Sequence, residues 1–403
     1  MASIARCPEG RLSGMKPHSC DLWLGMSNSP DTIEAAGLRT REGNLMAAVA
    51  RVREWRSLSI VFERGVLRTP TTFDGIFAGR SATVFGLSAW TPGVIDTWLG
   101  RGKPTIIRRL GGLAGSKMRA GSLVVSACPA LLETMGRLAR VTTLLDVVDF
   151  PLCDSNRGAS AREQWKRRMS WLRGRVSGAT TNSEAALEYL LERGWAARLV
   201  RNGIDRGRFP DNRGTKPGRF DVGFVSVFSQ WTDFSFLHRL FGQMPGVTFA
   251  AHGIVRCDVQ DEFNRLLAHR NFTWLGESHP SEVPGFLATC AVTIVPYRVP
   301  SGPSPLGDSM KVLESIAAGI PPVILRFQGG LAQRYEGLAY VCDSAKEAVD
   351  VIRRLLLSGP SEGWGEEARS FSRKNSWETR AGEILAFADE LASGRGREEE
   401  NRV

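Results

Sequence analysis

The chain has 403 residues, too many for one core and suited to two domains of about 200 residues each. Hydrophobic residues at 42% and charged residues at 23% exclude wholesale disorder. The net charge of +10 comes mainly from arginine and favours an anionic partner such as a nucleotide or a phospholipid surface. No block of five like charges on one helix and no RNA-binding motif points to nucleic acid.

Seven scattered cysteines form no C-x-x-C pair, which argues against a disulfide framework or a zinc site and for a reducing cytosol. The first twenty residues hold no apolar signal core, and no run reaches about eighteen apolar residues. A cytoplasmic protein is expected, with peripheral contact at the inner membrane face compatible with its basic surface.

In chain order, a buried strand is predicted over 21–26, ending at a glycine-methionine step. A helix over 44–55 follows, with Leu45, Ala48, Val49 and Val52 at helical spacing, and then a strand over 58–62. Strand-like runs recur at 82–87, 105–107, 122–126 and 141–148. An amphipathic segment at 161–176 leads to Ser183, placed to cap a helix over 184–193. The second half repeats this grammar, with strands at 220–227, 247–251, 272–275, 292–296 and 322–325. Helices are predicted there over 234–241, 262–268, 311–318 and 344–357. Strands separated by helices make an α/β protein of doubly wound parallel sheets.

Between the halves lies LVRNGIDRGRFP, residues 199–210. Asn202-Gly203 is the pair most favoured for a two-residue hairpin turn, yet no returning strand follows. The stretch is read instead as a hinge: Asn202-Gly203 turns the chain out, Ile204 and Phe209 pin it back on the first domain, and the polar segment 211–219 crosses over. The expected organisation is a first domain at 1–204, a linker at 205–219, a second domain at 220–375, a helix at 376–395 crossing back to the first domain, and a disordered tail at 396–403.

The most informative stretch is PSGPSPLGDSMKVLESIAAGIPPVI, residues 300–324. A Pro/Gly/Ser loop feeds a helix N-cap at Asp308 or Ser309, Gly319 terminates the helix, and Pro321-Pro322 stops it. Loop N–H groups and a helix N-terminus at the carboxyl edge of a parallel sheet form an anion site. Lys311 in the first turn opposes the helix dipole, which a bound phosphate would explain. Glu314 lies one turn on, so spacing alone equally allows a plain ion pair with Lys311.

The segments ATTNSEAALEYLLERG, RLVRNGIDRGRF, VGFVSVFSQWTDFSFL, NFTWLGESHPSEVPGFLATCAVTIVPYR, SMKVLESIAAGIPPVI and NSWETRAGEIL occur in this order between about Val141 and Leu385. Together they resemble nucleotide-sugar glycosyltransferases of the GT-B fold, of the family 4 or "group 1" type, nearest the teichuronic-acid and natural-product branch. The resemblance implies two Rossmann-like domains facing a cleft and retaining transfer from a UDP- or GDP-sugar to a small-molecule or glycan acceptor. No metal or other cofactor is implied. Glu314 would accept hydrogen bonds from the ribose, and N–H groups around Ser309 and Met310 would hold the diphosphate with Lys311. Gly223 and the 226–231 turn, with Ser226, Gln230 and Trp231, would lie beneath diphosphate and sugar. Arg298 would supply a bidentate phosphate contact, or stand as a rim arginine in solvent, and His252 would contact base or phosphate, or act as filler.

In the first domain, Asp149 and Asp146 close a strand where many relatives of this type place a histidine near the anomeric carbon. Asp149 is the candidate for orienting or deprotonating the acceptor, or else a turn cap. Ser27 and Asn28 are weaker acceptor candidates. Two departures from the family pattern stand out. Leu306 replaces the first of two glutamates eight positions apart, and SVFSQWTDF lacks the usual Arg and Lys-Gly pair. These motivate one alternative, an inactive nucleotide-sugar-binding or partner module. A GT-B sugar epimerase is a further alternative, disfavoured because the several acidic residues and histidines such enzymes keep in the cleft are not found in the sequence.

Overall fold

The computed structural model describes residues 20–26, 40–62, 82–85, 117–135, 140–148, 150, 152, 158–209, 219–298, 308–325 and 334–400. Ser27, Asn28, Asp149, Leu306, the loop 300–307, the run 105–107 and most of the crossing segment 211–219 lie outside them.

The first sheet draws on β1 (Asp21–Met26), β2 (Ser57–Phe62), β3 (Ala82–Phe85), β4 (Leu123–Ser126), β5 (Thr142–Val147), β6 (Gly178–Thr181) and β7 (Ala197–Leu199). Between them run α1 (Arg41–Arg51), α2 (Pro129–Met135), α3 (Ala159–Leu172) and α4 (Glu184–Glu192). All neighbours are parallel, in the order β3-β2-β1-β4-β5-β6-β7. Strand periodicity explains the two covered faces. In β1, Leu22, Leu24 and Met26 turn to one face and pack with α1, whereas Trp23 turns to the other and packs among Val124, Leu145, Leu172 and Leu190.

The second sheet contains β8 (Phe220–Val225), β9 (Phe249–His252), β10 (Phe272–Trp274), β11 (Cys290–Val295), β12 (Pro322–Leu325) and β13 (Tyr340–Cys342). Its helices are α5 (Phe234–Gln243), α6 (Gln260–Leu266), α7 (Val283–Leu287), α8 (Met310–Ala317), α9 (Ala345–Ser358) and α10 (Trp364–Lys374), and α11 (Trp377–Glu400) ends the described chain. The order β10-β9-β8-β11-β12-β13 is again parallel throughout. Val222 and Phe224 face α5 and α9, while Ala250 and Val295 face α8 and α10. Side-chain caps start several helices: Thr40 accepts from Gly43 N–H, Ser183 from Ala186 N–H, Asp233 from Phe236 N–H and Ser344 from Glu347 N–H.

α11 packs on the first sheet, where Trp377, Ala381, Ile384, Leu385 and Ala388 join the cluster of Leu24, Leu45 and Val49. It runs to Glu400, past the point at 396 where a disordered tail was expected. Arginine and glutamate, good helix formers, make up most of the sequence beyond Gly396 and extend the register.

The stretch after β7 differs from its sequence reading. Ile204 and Phe209 pack with Ala250 of the second sheet and with Val312, Leu313 and Ile316 of α8, not with the first domain. Gly203 is not among the positive-φ glycines, so Asn202-Gly203 is not the mirror-image turn its sequence suggests. The glycine is there for proximity: a Cβ would lie 2.7 Å from Trp377 N and 2.8 Å from its Cα. Ile204 pairs with Ser376 in a parallel bridge, donating to Asn375 O and accepting from Trp377 N–H.

Candidate active site

In the second sheet the strand order reverses between β8 and β11, and their carboxyl ends are where a doubly wound fold opens a crevice for ligands. The two following loops are joined by main-chain bonds. Asp233 N–H donates to Pro296 O and Arg298 N–H to Trp231 O, both at 2.8 Å, and Thr232 bridges Tyr297. This brings Gln230, Trp231, Tyr297 and Arg298 onto one rim, with the Gln230 and Arg298 side chains exposed.

The next loop inward is fixed by Gly253. Ser226 N–H donates to His252 O, and Gly253, at φ +153°, lies so near that a Cβ would sit 1.6 Å from Ser226 O. His252 Nδ1 donates to Gly276 O at 3.1 Å, and its ring meets Phe286 edge to face. Ser226 and His252 therefore stand side by side at the strand ends.

α8 starts at the same edge. Ser309 holds the N-cap position without a side-chain cap bond, and its buried hydroxyl finds no hydrogen-bond partner among the described residues. The Ser226 hydroxyl is in the same condition. Val225, the residue before Ser226, lines one pocket with Lys311 and Glu314. Buried hydroxyls are ordinarily paired, so an unpaired one at the α8 N-cap and another next to this pocket are suited to meet a ligand. Lys311 Nζ donates to Tyr297 OH at 2.5 Å and lies 5.1 Å from the centre of that ring. The tyrosine thus aims the ammonium along the rim. The Met310 side chain packs against the first domain's cluster, so its contribution to the site is its main-chain N–H.

Glu314 does not form the ion pair with Lys311 that the spacing allows. Its carboxylate accepts from Arg208 Nη1 at 3.3 Å, and Arg208 also donates through Nη2 to Pro280 O. Burial pushes the Glu314 carboxyl up, opposed by the nearby charges of Arg208 and Lys311. Arg208 escaped the sequence reading although it stands in the quoted hinge stretch. The signal was Phe209 beside it, an apolar residue in a polar linker that anchors the segment to the second sheet.

Two expected site residues lie elsewhere. Gly223 is inside β8 rather than in a loop beneath a ligand, and a Cβ there would meet Cys290 Sγ at 2.1 Å, so it is a packing glycine. Asp146 is fully buried and fully used: Arg41 donates to it through Nε at 3.0 Å and Nη2 at 2.8 Å, and Thr180 Oγ1 at 2.7 Å. Its oxygens are taken up by these donors rather than turned to solvent. It is a structural ion pair between α1 and β5.

Two parallel, doubly wound sheets with a terminal helix returning to the first define the GT-B fold. No protein-family model matches the chain. Over 201 residues it is 24% identical to TuaH of Bacillus subtilis (strain 168), whose name provisionally assigns it a glycosyltransferase step in teichuronic acid biosynthesis. That match covers 47% of this chain and 49% of TuaH, so the chain spans about half the length of this relative. Anabaena Alr3699/HepE, solved with UDP and glucose, superposes with a TM-score of 0.63 at 15% identity, over 92% of this chain and 99% of HepE. The N-terminal domain of Candida albicans trehalose-6-phosphate phosphatase reaches 0.66 at 11% identity, over 95% and 98%. At such identities the likeness is one of fold, and these two neighbours carry names of different chemistry. Among the described residues no helix is long and apolar enough to cross a membrane.

Proposed function

We propose that the chain transfers a glycosyl group from a nucleoside diphosphate sugar, a UDP-sugar first, to a small-molecule or glycan acceptor with retention of configuration. The observation that carries this reading is the pocket lined by Val225, Lys311 and Glu314, flanked in sequence by Ser226 and Ser309, whose buried hydroxyls have no partner among the described residues, with the Lys311 ammonium oriented by Tyr297. The relative TuaH, a glycosyltransferase by name, supports the class of reaction, and HepE, solved with UDP and glucose, supports the choice of donor.

In the proposed reaction the bond between the sugar C1 and the diphosphate oxygen breaks, and a bond from C1 to the acceptor atom forms. The leaving diphosphate takes the electron pair and the acceptor loses a proton. Lys311, the N–H groups at Met310 and the α8 dipole stabilise the departing charge without a metal. Glu314, oriented by Arg208, accepts from the ribose hydroxyls, Arg298 and the exposed Gln230 reach the sugar-phosphate from the rim, and Trp231 lines it. The first domain receives the acceptor, with Asp149 as the group that takes its proton, on the cytoplasmic side of the membrane.

A thermal-shift screen against UDP, GDP and dTDP tests the donor site, since a ligand at 100 times its Kd raises stability by about 2.7 kcal/mol. UDP is expected to raise Tm, and both Lys311→Ala and Glu314→Ala to abolish most of that rise while keeping the fold. No shift with any nucleoside diphosphate overturns the reading. A shift without release of UDP from UDP-sugars, whatever the acceptor, would instead favour the inactive binding module that Leu306 suggests.

A further inference from the structure

A buried polar chain joins the two domains immediately before α8. Asn202, 3% exposed, donates from its main-chain N–H to Asp308 Oδ2 at 3.2 Å and from Nδ2 to Asp308 O at 2.5 Å. On its other side Asn202 Oδ1 accepts from Arg41 Nη1 at 3.1 Å, and Arg41 is the guanidinium paired with Asp146. Asp308, 5% exposed, also accepts from Tyr335 OH and pairs with Arg334 Nη2 at 2.8 Å. Asp308 directly precedes Ser309, the N-cap position of α8. One asparagine thus joins an arginine of α1 in the first domain to the residue that precedes the N-cap of the helix carrying Lys311 and Glu314.

We propose that Asn202 is a positioning residue that sets the N-terminus of α8 against the first domain, so that the anion-holding groups of the second domain are in place only when the junction is closed. This deepens the donor-site reading given above and rests on it. The chemistry requires an amide. Its oxygen must accept from a cation on one side, and its NH2 must donate to a carbonyl beside a carboxylate on the other. Aspartate satisfies only the first demand. It still accepts from Arg41, but sets a second carboxylate oxygen against Asp308 O and near the Asp308 carboxylate.

That asymmetry separates positioning from mere support. If Asn202 served only the first domain, Asn202→Asp would be mild, because Arg41 keeps an acceptor. As a positioning residue, its replacement by aspartate is expected to raise the Kd for UDP by about tenfold, the loss of one hydrogen bond's free energy. The donor KM should rise alongside, with the Tm of the free protein falling far less than in an Arg41 variant. Asn202→Ser, which cannot reach Asp308 O, should weaken UDP binding in the same direction and serves if the aspartate variant fails to fold. Wild-type affinity in a folded variant overturns the proposal. If the unaltered protein binds no nucleoside diphosphate, the donor reading fails by itself, and the clasp is then read without ligand. Amide hydrogen exchange across 308–316 should be several-fold faster in either variant than in the unaltered chain, and unchanged exchange overturns it.

Discussion

At the scale of single residues, the strongest commitment in the molecule is the Arg41–Asp146 pair, at 3% and 0% exposure. Two charges taken from water are tolerated because both carboxylate oxygens and three guanidinium nitrogens find partners. Removing one partner strands the other, so Arg41→Met should cost about 3–5 kcal/mol. The double change Arg41→Met with Asp146→Leu should recover most of that loss. Denaturant unfolding of the two variants checks this, and equal losses would mean the pair is not the source. Asp146 read as catalytic in the sequence because it ends a strand beside Asp149. Its arginine comes from α1, far up the chain, and nothing local to β5 announces it. The same holds for Glu314, whose spacing points to Lys311 while the fold supplies Arg208.

At the scale of elements, most strands were legible because each is a short apolar run ended by glycine, proline or a polar turn. Pro322–Leu325, bounded by Pro321 and by the end of α8, matches its expected limits. Tyr340–Cys342 and Val283–Leu287 are not legible, since three to five residues carry too little periodicity to separate from loop. α8 was legible from its stop at Gly319, which takes φ +74°. The residue aiming its lysine was not, because Tyr297 reaches Lys311 only once β11 lies beside the helix. Tyr297→Phe should therefore weaken UDP binding, by less than Lys311→Ala does, as titration calorimetry would show; an unchanged Kd would remove Tyr297 from the site.

A second element-scale feature lies between α5 and the turn after α6. His238 Nδ1 and His269 Nε2 are 2.9 Å apart, with Phe241 edge-on to His269 and Arg265 nearby. Burial, then the neighbouring His269 and Arg265, holds the His238 ring below its ordinary value of 6.5. The folded ring thus resists a proton that the unfolded chain accepts. Its stabilising contribution is present above pH 6.5 and is lost as pH falls below that value. Tm should drop between pH 7.5 and pH 5.5, and His238→Gln should flatten part of that drop. An identical pH profile in the variant would exclude the pair.

On the scale of the whole molecule, the domains are joined twice within three consecutive residues. Asn202 holds Asp308, Gly203 admits the start of α11, and Ile204 bridges Ser376. A sequence reader sees a turn there because Asn-Gly usually makes one. The real constraint is a backbone that arrives from the far end of the chain. Gly203→Ala places a Cβ within 2.7–2.9 Å of main-chain atoms of Ser376 and Trp377, which cannot rotate away as a side chain could. α11 must then move off the first sheet, and overpacking of this kind costs about 1–3 kcal/mol. Gly382 in α11 gives the opposite sign. A Cβ there meets nothing within 4 Å, and alanine in a helix interior gains about 0.5–1 kcal/mol over glycine. Scanning calorimetry should therefore show Tm lowered by Gly203→Ala and raised by Gly382→Ala. Because Gly203 adjoins the Asn202 clasp, the first change should also weaken UDP binding, whereas the second should not. A Gly203→Ala protein with unaltered Tm and unaltered UDP affinity would mean that α11 is not seated against this junction.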